Sequence, residues 1–252
     1  MEFKRCKLLN CTIDSLSMNQ LLFKLTEGVL LTPNVDHMMT LQEDPEFYRI
    51  YQEAEYVVLD SQVIAFVMKY FLRTPVPEKI SGSDFFPAFC RYHKDDPEIK
   101  IFLLGGKPGA PEKAMENINS RIGHDIIIGA HSPSMGFEKN PDECAVIVDM
   151  INSSGATVLA VGVGAPKQEK WIYNYKAMLK GVKIFMGIGA TIEFEAGFVE
   201  RAPSWMSSAG LEWLYRMLQE PGRLWRRYLV RDIPFFWLVF KQKLGKYRNP
   251  FA

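Results

Sequence analysis

The sequence predicts an α/β fold, a Rossmann-like and mostly parallel sheet with helices on both faces, followed by a helical C-terminal appendage. Three observations lead there. Short apolar runs rich in β-branched residues alternate with stretches of helical period from about residue 29 to residue 186. The run over 158–163, Val-Leu-Ala-Val-Gly-Val, is apolar without alternation, which suits a strand buried on both faces. After Arg201 the texture changes to Trp, Leu and Tyr at helical spacing with Arg between them. The expected division is therefore a catalytic-type core over 1–200 and a basic, amphipathic appendage over 201–252.

The elements follow in order. A first short strand is expected within 6–13, then a helix over 18–26 capped by Ser15 or Ser17 and stopped near Gly28. Residues 29–32 read as a strand ending in Thr32-Pro-Asn34, and one helix is expected from about His37 through Ala54. Residues 56–59 form the next strand, ending in Asp60, before a helix over 62–72. A Pro-rich connection leads to a helix start at Ser81-Gly-Ser-Asp84. Residues 99–104 are a strand followed by Gly105-Gly-Lys-Pro-Gly109 and a helix to about Arg121. A strand over 125–130 ends at His131, and a helix covers 141–153. After the 158–163 strand, Gly162 and Gly164 release the backbone, and Pro166 suits the first turn of a helix reaching about Leu179. A last strand over 182–186 ends at Gly187-Ile-Gly189. In the appendage, Pro203, Pro221 and Pro234 punctuate three helical pieces. The chain carries no internal repeat.

Charge narrows the partners. The 252 residues carry a net charge of +1, but residues 201–252 hold seven Arg and three Lys against Glu212, Glu220 and Asp232, so the appendage is +7 and the rest −6. A basic tail on an acidic body points to an anionic partner for the tail, and the acidic body argues against nucleic acid. The four cysteines form no C-x-x-C pair and read as thiols of a reducing compartment rather than metal ligands. The N-terminus has charge but no apolar run of signal-peptide length. The uncharged run over 233–240 is far short of the ~20 residues a membrane-spanning helix needs.

Ligands of an open parallel sheet sit beyond the carboxyl ends of its strands. Polar residues expected there are Thr32, Asn34, Asp60, His131 and the loop from Gly164 to Gln168. The Gly162–Gln168 stretch is neither G-x-G-x-x-G nor a Walker loop, and it reads either as an anion or nucleotide site at a helix N-terminus or as a tight structural turn. Asp60, directly after an apolar strand, reads either as a partly desolvated base or as the cap of the following helix. Gly105–Gly109 lacks the G-K-[ST] ending of a P-loop and reads as a turn or a backbone contact. No metal is expected: the four histidines are scattered, and Glu193-Phe-Glu195 is either an acidic metal pair or one face of a strand. Arg216, Arg223 and Arg227, at i, i+7 and i+11 with Arg226 beside them, suggest one helical face able to neutralise a diphosphate. Beside Trp225, Tyr228, Phe235, Phe236 and Trp237 they also fit a helix lying on a membrane surface, or one packed on the body with solvated charges.

Taken together, Thr32-Pro-Asn34, Asp60, Gly162-x-Gly-Ala-Pro-Lys-Gln-Glu169, Gly187-x-Gly-Ala-Thr191, Ala196-Gly197, Arg201-Ala-Pro203-x-Trp205, Gly210-Leu-Glu-Trp213, Glu220-Pro221 and Arg226-Arg-Tyr228 resemble the WecG/TagA/CpsF family of bacterial glycosyltransferases. The resemblance covers about residues 8–228. It implies an inverting transfer without metal or other cofactor, from a UDP-sugar to a polyprenyl-diphosphate-linked sugar, in surface polysaccharide or teichoic-acid-type assembly. It implies a peripheral place on the cytoplasmic face of the cell membrane, with the C-terminal appendage docking on the anionic surface. By the same resemblance, Asp60 is the expected catalytic base with Thr32 its pocket neighbour. Asn34, Gly162, Gly164 and Gln168 are expected nucleotide or sugar contacts, and Arg216, Arg223 and Arg226 the expected diphosphate clamp.

Three positions depart from the family pattern. Ser61-Gln62 replaces glycines after Asp60. Lys79 replaces an arginine ahead of Gly82-Ser-Asp84, and Glu193 replaces an aspartate as a nucleotide contact. The tail continues past Tyr228, and its apolar run implies stronger membrane association, which deletion from Pro234 onward should abolish. A hexosyl or N-acetylhexosaminyl class fits, with N-acetylmannosamine, its uronic acid or a hexose as the moved sugar. The acceptor sugar and the oligomeric state, a homo-oligomer included, stay open. Two other readings remain: a Rossmann-type oxidoreductase, against which the missing G-x-G-x-x-G speaks, and a non-catalytic membrane-surface adaptor.

Overall fold

The computed structural model describes residues 4–252, apart from the side chains of 204, 208 and 223. The chain forms two compact units. One comprises residues 18–31 and 82–200, the other 4–17, 32–81 and 201–252.

The unit of 18–31 and 82–200 is a parallel α/β layer. Its strands are β3 (Gly28–Leu31), β5 (Ile101–Gly105), β6 (Ile127–His131), β7 (Val158–Gly162) and β8 (Ile184–Gly187). They run in the order β3-β8-β7-β5-β6, all parallel. Every residue of β5, β7 and β8 is buried, as their unbroken apolar runs require for strands covered on both faces. The connecting helices are α1 (Met18–Lys24), α5 (Gly82–Tyr92), α6 (Ala110–Ile122), α7 (Pro141–Ser154), α8 (Lys167–Tyr175) and α9 (Thr191–Ala196). Helix α7 starts where Asn140 caps the Glu143 N–H ahead of Pro141, and ends at Gly155, whose φ is +75°.

The chain passes from β5 outward to β6 and then returns to the other side of β5 at β7. The carboxyl ends of β5 and β7 are therefore the place where the order reverses, the crevice that open α/β sheets use for ligands.

The other unit begins with a hairpin, β1 (Arg5–Leu8) against β2 (Cys11–Asp14), where one strand was expected. Leu9, at φ 53°, turns the chain between them. The helix expected from His37 to Ala54 is two, α2 (Val35–Glu43) and α3 (Pro45–Glu53). Asp44 lies in extended backbone and accepts from the N–H groups of Glu46 and Phe47, so one residue ends α2 and caps α3. The physical reason is Pro45, which pushes the residue before it out of the helical region. Strand β4 is only Tyr56–Val57, and the Val57 N–H donates to Asp14 Oδ2 at 2.9 Å. Helix α4 (Gln62–Phe66) continues into a π-helix over Val67–Leu72.

The appendage contributes α10 (Ser204–Ser208), α11 (Glu212–Gln219), α12 (Pro221–Arg226), a π-helix over Arg227–Arg231 and α13 (Ile233–Lys243), more pieces than the prolines alone indicate. Phe235 and Val239, one turn apart on α13, are buried, whereas Ile233, Phe236, Trp237 and Phe240 are exposed. The end of the chain is tied back by polar contacts: the Leu9 N–H donates to Gln242 Oε1 at 2.8 Å, and Tyr247 Oη donates to Gln42 Oε1 at 2.7 Å. Among the described residues no helix is long and apolar enough to cross a membrane. All four cysteines are free thiols, three of them buried.

Candidate active site

In the parallel unit the candidate site lies at three glycine loops. The Gly106 N–H donates to Gly162 O at 3.1 Å, which holds the loops after β5 and β7 side by side. At Gly105, with φ +126°, a Cβ would come within 2.6 Å of the Gly162 backbone. At Gly162 it would come within 2.6 Å of Gly189 O. Side chains are excluded there, so the three loops pack main chain against main chain. Gly164, at φ +83°, faces open space, and the structure places Pro166 at the N-cap of α8 rather than on its first turn. Lys167, Gln168 and Glu169 form that first turn, as expected.

Gln168 is buried, and its amide spans two loops. Its Oε1 accepts from the Gly189 N–H at 3.1 Å, and its Nε2 donates to Glu169 Oε1 at 2.8 Å. A Cβ on Gly187 would lie 2.8 Å from that Nε2. Gln168 therefore fixes the loop after β8 relative to the N-terminus of α8. Sequence reading put Gln168 at the site but missed this tie, because its partner lies 21 residues away on a backbone N–H.

Glu193 and Glu195 lie on α9, not on a strand. Two residues apart on a helix, their side chains diverge, and Glu195 is engaged by Arg121 across to α6. The pair does not present one acidic face.

In the other unit, Thr32 and Asn34 are half-buried and lead into α2, where Asn34 Oδ1 accepts from the His37 N–H at 3.2 Å. Asp60 is half-buried and follows the buried run Val57-Val58-Leu59. The cap of α4 is Ser61, whose Oγ accepts from the Ile64 N–H at 3.4 Å, so Asp60 does not carry the capping role. Lys79 is half-buried and precedes Ile80, whose N–H donates to Leu59 O at 2.7 Å, beside Asp60 in sequence.

The arginines are arranged differently from the expected single helical face. Helix α11 ends at Gln219 and α12 opens at Pro221, with Glu220 between them at φ −130°, ψ 61°. The break follows from Pro221, which removes an N–H and disfavours helix at the preceding residue. Arg216 on α11 and Arg223 and Arg226 on α12 thus belong to different helices. Arg216 is half-buried, Arg226 is exposed beside the Trp225 ring, and the side chain of Arg223 lies outside the described residues.

Arg227 points elsewhere. Its Nη2 lies 3.3 Å from Asn34 Oδ1 and 3.3 Å from Asp36 Oδ2. Arg231 reaches Asp36 Oδ1 at 3.2 Å and donates to Thr40 Oγ1 at 3.0 Å. Burial pushes the neighbouring Asp232 carboxyl up to about 6, and the Asp36 charge adds to the rise against the pull of Arg227 and Arg231. Burial, with the charges of Arg227 and Arg231, pushes His37 down to about 3, and its Nδ1 lies 3.1 Å from Tyr51 Oη. Sequence reading missed Asp36 and Arg231; Asp36 inside Thr-Pro-Asn-Val-Asp was the available signal.

The model of the glycosyl transferase WecG/TagA/CpsF family matches residues 6–249, nearly the whole chain. The chain belongs to this family. The WecG/TagA/CpsF match makes the protein a glycosyltransferase of cell-surface polysaccharide synthesis, with a nucleotide-sugar donor and a sugar acceptor. The oxidoreductase and adaptor readings give way to it.

Proposed function

We propose that the protein transfers a sugar from a UDP-sugar to a lipid-diphosphate-linked sugar with inversion and without a metal, while bound to an anionic membrane surface. The observation that carries the donor half is the pair of glycine loops at the ends of β5 and β7. Close packing of these loops brings Gly164, with open space where a Cβ would stand, to the N-terminus of α8, a place that suits a diphosphate.

In the proposed reaction the acceptor hydroxyl oxygen forms a bond to the anomeric carbon as the bond from that carbon to the UDP oxygen breaks. Asp60 takes the hydroxyl proton, with Thr32 proposed as its neighbour in the pocket. Negative charge develops on the departing UDP, and Arg216, Arg223 and Arg226 are proposed to neutralise it. Asn34, Gly162, Gly164, Gln168, Lys79 and Glu193 are proposed to orient the nucleotide or sugar.

The exposed Trp225, Ile233, Phe236, Trp237 and Phe240, interspersed with Arg226, Lys241 and Lys243, support membrane docking through residues 201–252. At ~1.5 Å per residue, the 11 residues of α13 extend roughly 16 Å, so this helix lies on a bilayer rather than across it.

The test incubates the protein with a panel of UDP-sugars and a short-chain lipid-diphosphate sugar, in the presence of a chelator, and follows UDP release. Turnover with at least one donor is expected. A strict need for added Mn²⁺ or Mg²⁺ would overturn the arginine-clamp mechanism, and no release with any donor would overturn the donor assignment.

A further inference from the structure

Asn34 Oδ1 receives two donors, the His37 main-chain N–H and Arg227 Nη2. This settles which way the amide points. A flipped Asn34 would set its NH₂ against two N–H donors, a repulsive arrangement. The Nδ2 group is consequently turned the other way, and it has no partner among the described residues.

Arg227 is itself held. Asp36, on the first turn of α2 and buried, pairs with it through Oδ2, while Asp36 Oδ1 faces Arg231. A charge pair with one carboxylate this deep is screened little by water, so it holds its geometry better than a surface pair does. Arg227 Nε is buried without a hydrogen-bond partner. The guanidinium is thus aimed at Asn34 and Asp36 at the expense of one of its own donors.

We infer that Arg227 is a positioning residue: braced by Asp36, it fixes the Asn34 amide so that Nδ2 donates to an oxygen of the nucleotide-sugar. The inference rests on the proposed role of Asn34 as a donor contact. It assigns to Arg227 a task distinct from the diphosphate clamp, and it makes the order of the π-helix over Arg227–Arg231 a condition for donor binding.

Two measurements test it. The side-chain NH₂ resonances of Asn34 in a ¹⁵N–¹H spectrum, assigned by their loss in Asn34→Ala, are expected to shift and broaden in Arg227→Gln. Unchanged resonances would overturn the inference. Steady-state kinetics with the best UDP-sugar of the panel are expected to show a five- to tenfold rise in donor KM for Arg227→Gln, about one hydrogen bond's worth, with kcat within about twofold. In an Asn34→Ala background the same substitution is expected to add nothing. Equal losses in both backgrounds would mean that Arg227 acts through the fold alone and would overturn the inference. Arg227→Lys keeps the charge beside Asp36 without the planar fork, and it carries the same two measurements should Arg227→Gln fail to fold. A wild-type protein that releases no UDP would refute the proposed function; the Asn34 resonances would still decide whether Arg227 positions the amide.

Discussion

Replacing Asp232 by Asn is expected to stabilise the protein at neutral and alkaline pH and to do little in acid. Asp232 is 7% exposed, and its Oδ1 has no hydrogen-bond partner. It faces Asp36 from α2, and Arg227 and Arg231 from its own segment. The desolvation and the Asp36 charge together outweigh the two guanidinium groups, so its folded pKa is about 6 against 3.8 for an unperturbed aspartate. The folded state therefore binds this proton more tightly than the unfolded chain does.

The associated stability is fully present below 3.8 and is lost as pH rises through about 6. At about 1.4 kcal/mol for each pKa unit, the ceiling is roughly 3 kcal/mol, and relaxation with water entry reduces it to on the order of 1–2 kcal/mol. Asparagine has no charge to desolvate, so the variant escapes the loss. The assay is urea unfolding of both proteins at closely spaced pH values from 4 to 8, read as the difference between them so that other carboxylates cancel. The difference should start near zero at pH 4, grow through pH 4–6 and level off above. A flat difference, or a variant less stable than wild type at pH 8, would show that Arg227 and Arg231 govern Asp232 and would refute the reasoning.

Other expectations follow from single residues. Asp60→Asn should cut turnover by about 10²-fold or more while leaving the melting temperature unchanged. Ser61→Ala should do the opposite, lowering stability by about 1 kcal/mol through the lost α4 cap. Gly162→Ala puts a Cβ 2.6 Å from Gly189 O. It should displace the loop after β8 and weaken UDP binding by at least tenfold, measured by calorimetry; unaltered affinity would remove the glycine loops from the donor site. Trp237→Glu combined with Phe236→Glu should release the protein from vesicles containing anionic lipid without changing its melting temperature. Retained binding would sink the docking surface. These substitutions test docking better than deletion from Pro234, because deletion also removes buried Phe235 and Val239 and the Gln242 and Tyr247 contacts.

The sheet was readable because its strands need nothing from the rest of the chain to declare themselves. Runs such as Val158–Gly162 are apolar at every position, and only burial on both faces accommodates that. The turn at Gly164, with φ +83°, was readable because glycine adopts that backbone freely, whereas the close approach of Gly162 to Gly189 depends on a loop far along the chain. Helix breaks at Pro45 and Pro221 are present in local chemistry; the helix expected up to Ala54 runs across the first, and the single arginine face runs across the second although Pro221 is itself expected to divide helical pieces. Periodicity assumes a continuous helix, and a proline ends that assumption.

The local sequence by itself determined the five strands of the parallel unit, the glycine turns that follow β5, β7 and β8, and that the tail is basic and apolar at once. Only the tertiary structure decided how these are used. Asn34 and Arg227 are 193 positions apart, and nothing near either one names the other. Phe235 and Phe236 are identical in type and adjacent, yet one is buried and the other exposed. Composition reports how much apolar or charged surface a segment has, whereas the direction in which each side chain points depends on packing against distant residues.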